Sequence, residues 1–393
     1  MNLFELAKPL QIKYMKKLTV LFFLLTALVS TSTAQELRNF SFGREPIVSP
    51  QITENQVTFR LLAPKAYEVR LYGSWNADYR STLAMSRDTS GVWSATIPLP
   101  DPEIYTYSFI VDGVSMNDPT NVLMQRDGTR YLSMLLVEGG ISEYYKEATQ
   151  RGNLKSVWYD SPTIGIQRRM TVYTPYGYET NPRKKYPVLY LLHGAGGDEE
   201  AWSSMGRARQ ILDNMIEKGE AEPMIVVMPN GNPWQQAAKT LMLPEKEFQW
   251  GDPSTANLYV NSLVKDIIPY VEKHFRTINK PESRAVAGLS MGGGHTMSVS
   301  NLYPGMFGYI CPLSMGIRDG QEIDTELQAI KKAGYKLYWV GCGDQDFLFE
   351  SANALHQALE RNGLEHTYYV SGGGHTWPNW RTYLTIFGKL LFK

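Results

Sequence analysis

Between residues 50 and 138 the chain alternates apolar and polar positions in short bursts. QVTFRLLAP, YEVRLYGSW, GVWSATIPL, YTYSFIVDG and YLSMLLVEG each alternate in this way, and Pro, Gly, Asp and Asn separate them. A period of two sends every second side chain to one face, so each burst predicts a half-buried strand. Short strands at this spacing predict an antiparallel β-sandwich, assigned here to residues 35–138. Residues 139–155 carry little apolar periodicity and read as a linker.

From about Val157 the pattern changes. Unbroken apolar runs, YPVLYLLHG, MIVVMPNG, RAVAG, GYICPLS and KLYWVGCG, now alternate with helical stretches near 205–218, 256–276, 291 onward and 350–362. In the second helix Leu263, Ile267, Val271 and Phe275 recur at four-residue spacing. Strands apolar on both faces, set between helices, predict a mostly parallel sheet covered on both sides. The second half, 156–393, is therefore read as an α/β domain.

The N-terminal segment changes the picture of location. From Met15, MKKLTVLFFLLTALVSTSTAQ joins two lysines to an apolar stretch and then to small residues ending at Ala34. That order predicts a secretory signal peptide over 1–34, with Met15 as the true start and a periplasmic or secreted product. The apolar stretch is short for a membrane span, and no Cys stands at the cleavage site to carry a lipid. A net charge of +0 removes the electrostatic case for nucleic acid or an anionic membrane as partner. The 2 cysteines, Cys311 and Cys342, form neither a disulfide framework nor a metal-ligand spacing. They read as buried thiols, with a single bridge left open because their strands could be neighbours.

The candidate chemistry centres on AVAGLSMGGG. Ser290 follows an apolar strand and opens a helix, with Gly288, Gly292, Gly293 and Gly294 around it. In that setting GxSxG acts as a nucleophile elbow, a turn tight enough to exclude side chains beside the serine. A serine hydroxyl needs an adjacent base held by a third group, and in this fold the chain order is Ser, acid, His. His366 and His375 lie near the chain's end. His375 closes VSGGGHTW, a strand running into a glycine-rich loop, and is the candidate base; His366 reads as a solvated loop residue and His295 as packed on the nucleophile helix. KLYWVGCGDQD offers two acids, of which Asp346 suits the spacing after Gly343 better than Asp344. His193-Gly194-Ala195-Gly196-Gly197 follows the first strong strand, so the Ala195 and Met291 amides are the candidate oxyanion hole and His193 a loop support.

Taken in order, YPVLYLLHGAGGDEEAW, MIVVMPNGN, LVKDIIPYVEKHF, RAVAGLSMGGG, GCGDQDFLF and SGGGHTWPNW resemble the feruloyl and acetyl-xylan esterases of carbohydrate esterase family 1. The resemblance covers about 155–393. It implies an α/β-hydrolase fold, no metal cofactor, and a triad of Ser290, Asp346 and His375. In the first half, VRLYGSWN and NDPTN resemble the early-set, immunoglobulin-like sandwich of carbohydrate-binding module family 48. Trp75 and Trp93 could stack there on sugar rings, although an alternating strand aromatic is more often core; the module's other reading is a wall of the esterase cleft.

The resemblance implies release of ferulic or another hydroxycinnamic acid from feruloylated xylan and xylo-oligosaccharides. An acetyl-xylan esterase is the nearest alternative. A phenolic acid needs a flat apolar slot, for which Trp234, Phe347 and Trp377 are candidates. A siderophore esterase of related architecture is a further alternative, with Arg207, Arg209 and Arg318 as candidate contacts for an anionic catecholate. An acyltransferase would differ only in what takes the acyl group. A non-catalytic glycan-binding protein is disfavoured because all three triad residues and their glycines are present.

Overall fold

The computed structural model describes residues 47–393 apart from 77, 79, 239–256 and 319; the expected signal peptide lies outside the described residues. The five alternating bursts form strands of a two-sheet sandwich. One sheet orders Gln51–Ile52, Gln56–Leu62, Val92–Pro98 and Ser86–Arg87, all antiparallel. The other runs Thr82–Ala84, Val69–Gly73, Ile104–Val111, Arg130–Leu136 and Met124–Asp127, with Val114–Met116 on the side of Ile104–Val111. Their inward residues, among them Val57, Phe59, Val69, Leu71, Tyr107 and Phe109, make one core. The alternation arises because one face of each sheet meets this core and the other meets water, except where Ile104 and Met134 of the second sheet pack on the α/β half. Trp93 belongs to the core, 8% exposed, with its Nε1–H donating to the Ala63 carbonyl at 2.8 Å. Trp75 stacks on Phe59 at 5.3 Å. The sugar-stacking expectation is thus corrected for Trp93, whose indole is spent inside the sandwich.

The second half builds an 8-stranded sheet in the order Asn153–Ser161, Ile166–Thr174, Ile225–Pro229, Val188–Leu192, Arg284–Leu289, Tyr309–Leu313, Leu337–Gly343, Thr367–Ser371. From Ile225–Pro229 onward neighbouring strands are parallel. Val188–Leu192 and Ile225–Pro229 are buried at every position, which explains their unbroken apolar runs. The first two strands are an antiparallel hairpin at the edge. The sequence pattern hides it, because most of Asn153–Ser161 faces solvent and is polar. Helix Ala208–Glu217 matches the expected stretch, and Leu258–His274 is helical with a wide π turn over Leu263–Ile267. Helices Asp324–Ala333 and Trp377–Phe387 have no counterpart in the sequence reading. The second is rich in aromatic and β-branched residues, whose intrinsic helix preference is weak, and it is held by packing.

Val48–Lys393 form one unit, and the two halves share a core within it. Ile104 and Met134 of the sandwich pack with Trp202, Ile211 and Leu384 of the α/β half. Arg381, 2% exposed, donates to Glu103 of the sandwich at 2.9 Å. Residues read as a linker contain a 3-10 turn, Gly140–Tyr145, docked on the α/β half: Asn214 Nδ2 donates to the carbonyls of Tyr144 and Lys146 at 3.1 and 2.8 Å. Cys311 and Cys342 lie on neighbouring strands, and both are buried free thiols. Burial pushes both thiols up, Cys342 to about 12, which keeps them protonated and inert.

Candidate active site

Ser290 sits between strand Arg284–Leu289 and helix Met291–Leu302 with φ 52° and ψ −118°. An L-residue rarely holds such a backbone, so the surrounding structure must impose it. The Ser290 amide donates to the Leu313 carbonyl at 2.9 Å, tying the turn to the next strand, and its carbonyl accepts from the Gly294 amide at 3.0 Å. The glycines allow the helix to start against the sheet. A Cβ on Gly288 would stand 2.3 Å from the Gly292 carbonyl oxygen, and one on Gly292 would stand 2.5 and 2.6 Å from the carbonyl oxygens of Leu192 and His193. Both obstacles are backbone. Gly292→Ala is therefore expected to destabilise the protein by about 1–3 kcal/mol, the usual cost of overpacking, and to lower Tm by several degrees. A variant melting with the wild type would show that the helix can retreat from the sheet.

His375 stands just beyond strand Thr367–Ser371, one residue before the cap of helix Trp377–Phe387. Its Nδ1–H donates to both oxygens of Asp346, at 2.9 and 3.0 Å. This leaves Nε2 as the acceptor lone pair of the neutral ring. Asp346 is 4% exposed and also accepts the Leu348 amide at 2.9 Å. Asp344 is exposed, its backbone amide spent on the Ser371 carbonyl. Gly343 permits the tight loop between them, since a Cβ there would lie 2.1 Å from the Gly373 carbonyl oxygen. The imidazole is steadied by the Trp380 ring at 5.0 Å, perpendicular to it, and by the Phe347 ring at 4.4 Å. Trp380 is in turn anchored through Nε1–H on Ser314 Oγ at 2.9 Å.

The His193–Gly197 loop leaves strand Val188–Leu192 beside the serine; a Cβ on Gly194 would meet Leu289 Cδ1 at 2.5 Å and Ser290 Cβ at 3.3 Å. His193 is 2% exposed. Its Nδ1–H donates to the Gly194 carbonyl at 2.8 Å, and its Nε2 accepts the Gly231 amide at 2.7 Å. Burial pushes its pKa down, so the ring stays neutral and able to accept at Nε2. The ring is a strut between two loops. His295 is half-buried against Tyr259 at 4.6 Å, and loss of solvation around its ring pushes it down to about 3. His366 is half-buried and paired with His356 at 2.7 Å, which corrects its reading as a solvated loop residue.

Ser290, His375, Gly194–Gly197 and Trp377 line a common cavity of about 560 Å³. Trp377 is held edge-on by Trp202 at 5.4 Å and Trp380 at 5.2 Å. Phe347 and Trp234 are not among its lining residues: Phe347 is 77% exposed against His375, and Trp234 lies half-buried in the loop after strand Ile225–Pro229. The sandwich supplies a wall of the cavity, the second of its two expected roles, and the residues that form it, including Tyr105, Arg126 and Gly128, carry no motif. Such residues come together only through the docking of the two halves.

Two family models match the chain: one described as "Putative esterase" over residues 161–387, and one for carbohydrate-binding module 48 (isoamylase N-terminal domain) over residues 42–125. An endo-1,4-beta-xylanase/feruloyl esterase of Xylanibacter ruminicola is 33% identical over 357 residues, 87% of this chain and 45% of that protein. Endo-1,4-beta-xylanase Y of Acetivibrio thermocellus is 28% identical over 251 residues, 61% of this chain and 19% of that protein. The chain thus spans less than half the length of either relative. Among solved structures, a ferulic acid esterase superposes with a TM-score of 0.52 at 27% identity, covering 61% of this chain and 98% of that one. The enterobactin esterase of Shigella flexneri covers 87% of this chain and 94% of that one with a TM-score of 0.62 at 18% identity, a likeness of fold alone.

Proposed function

Because this chain belongs to the esterase family matched over residues 161–387, we propose that it is a serine carboxylesterase that releases ferulic or another hydroxycinnamic acid from feruloylated xylan through an acyl-enzyme on Ser290. The observation that carries the reading is the convergence of Ser290 and the Asp346-bound His375 on one cavity with Trp377 in its wall. At about 560 Å³ the cavity falls within the range that holds a small organic ligand, and an indole supplies the flat apolar surface a phenolic ring needs. Its two arginines support a neutral ester over an anionic catecholate. Arg126 is paired with Asp198 and Arg381 with Glu103. Arg207 and Arg209 are spent on the Tyr145 carbonyl and on Glu147, and neither lines the cavity, nor does Arg318.

In this mechanism Ser290 Oγ attacks the ester carbonyl carbon while its proton passes to His375 Nε2. Asp346 holds the Nδ1–H tautomer and stabilises the imidazolium that forms. The amides of Ala195 and Met291 hold the oxyanion, the second at a helix N-terminus whose dipole favours negative charge. The C–O bond to the sugar then breaks, and the departing alkoxide takes the proton back from His375. Water attacks the acyl-enzyme with the same base, restoring Ser290 and releasing the carboxylic acid. Export by the segment ending at Ala34 would bring the enzyme to its polymer.

The test is the product profile on feruloylated arabinoxylan and acetylated xylan side by side. Ferulate with little acetate is the expected result. Acetate alone would replace the reading by an acetyl-xylan esterase, and neither product would remove xylan from it.

A further inference from the structure

The loop expected to bind the oxyanion is held at both ends, and the second hold comes from the sandwich. The hairpin of Met124–Asp127 and Arg130–Leu136 reaches over Gly194–Gly197, and Gly128 at its turn lies close enough that a Cβ there would be 3.6 Å from the Gly196 carbonyl oxygen. Arg126, 5% exposed, forks onto Asp198: Nη1 donates to Oδ2 at 2.8 Å and Nη2 donates to Oδ1. Its Nε–H donates to Glu200 at 3.1 Å, and its backbone amide donates to Ser204 Oγ at 2.6 Å. Asp198 is the residue directly after Gly197 and is 4% exposed. From the α/β half, Arg169 holds the next two residues, Glu199 and Glu200. His193 pins the loop's first residue from within the α/β half; Arg126 pins its exit from outside.

A bidentate guanidinium–carboxylate pair fixes the plane and position of the carboxylate, and it does so most strictly where water cannot substitute. An oxyanion hole acts only when its amide is aimed at the tetrahedral oxygen, and a displacement of about 1 Å costs on the order of 10²-fold in rate. We infer that Arg126 is a positioning residue for ester hydrolysis: through Asp198 it sets the Ala195 amide, so the sandwich is part of the catalytic apparatus and not a separable sugar tether. The inference rests on the serine-esterase reading of the site and is independent of which acyl group leaves.

The experiment uses the full chain with Arg126→Met, Arg126→Lys and Asp198→Asn, assayed on 4-nitrophenyl acetate. An arylboronic acid serves as the oxyanion probe. Ser290 Oγ bonds to boron, the serine proton passes to His375, and a tetrahedral anion forms. For Arg126→Met, kcat is expected to fall on the order of 10²-fold with KM little changed, and boronate affinity to fall by a similar factor. Arg126→Lys, which keeps the charge and loses the fork, falls between. The double variant with Asp198→Asn loses no more than the worse single one, since both break one interaction. If Arg126→Met does not fold, Arg126→Lys and Asp198→Asn carry the same comparison. A lower Tm with kcat and boronate affinity untouched would overturn the inference, as would a rise in KM alone. Ser290→Ala separates the two readings: turnover surviving in it removes the esterase site, whereas a dead Ser290→Ala beside a fully active Arg126→Met removes only the clamp.

Discussion

Replacing Ser290 with alanine abolishes ester turnover, with kcat expected to fall by about 10⁶-fold, while the protein folds as before. The size follows from what is removed. In the proposed mechanism the Oγ is the atom that bonds to the acyl carbon; among the described residues the other hydroxyls lining the cavity are those of Ser74, Tyr105, Thr106 and Thr376, and no thiol lines it. None of these stands at a strained elbow with a helix N-terminus behind it; Ser290 does, at φ 52°. Alanine keeps the Cβ and so keeps the turn, whose hold on Leu313 is through the backbone amide. The variant should therefore melt with the wild type and bind product acid normally. Ferulate or 4-nitrophenol release, measured beside Tm, checks both halves of this expectation. Residual turnover near the wild-type rate would remove Ser290 from the mechanism.

Asp346→Asn is expected to lower kcat by about 10⁴-fold, and Asp344→Asn to leave it essentially unchanged. Asp346 accepts the His375 Nδ1–H with both oxygens and is almost wholly buried, so its carboxylate selects the tautomer with a free Nε2. An asparagine offers an N–H where a second acceptor stood. The ring then turns its lone pair toward the amide and presents Nε2–H to the serine, the wrong tautomer for a base. Asp344 is exposed and its carboxylate has no part in that bond. Steady-state kinetics on the two variants decide between the acids. Equal losses, or a loss in Asp344→Asn alone, would move the acid role away from Asp346.

Both acids fit the sequence equally well as residues after a strand; spacing from Gly343 favoured one, and burial with the His375 bond distinguishes them physically. His375 was legible for a similar reason: a strand ending in glycines just before a histidine is a local signature of a loop that can reach back over the sheet. His366 was harder to read, because its partner His356 lies on a helix and nothing in the sequence ties the two together. The edge hairpin and the helix Trp377–Phe387 escaped detection because their residues follow solvent exposure and aromatic packing instead of a clean period. Trp93 shows the opposite limit. An alternating strand tryptophan is more often core than a sugar platform, and it is the facing sheet that makes this one core.

What the sequence determined by itself is what depends on short-range chemistry: the switch from two-residue alternation to buried runs between helices, and the glycine-framed elbow at Ser290. Each is encoded within a few neighbouring residues, where backbone sterics and burial pattern act directly. Only the tertiary structure decided which distant groups complete the site. Arg126 and Asp198 are 72 residues apart and belong to different halves of the chain, yet they meet in a buried ion pair beside the Gly194–Gly197 loop that lines the cavity. No periodicity predicts such a pair, because a salt bridge between two docked surfaces is set by shape and desolvation at the interface and leaves no mark on the local pattern of either partner.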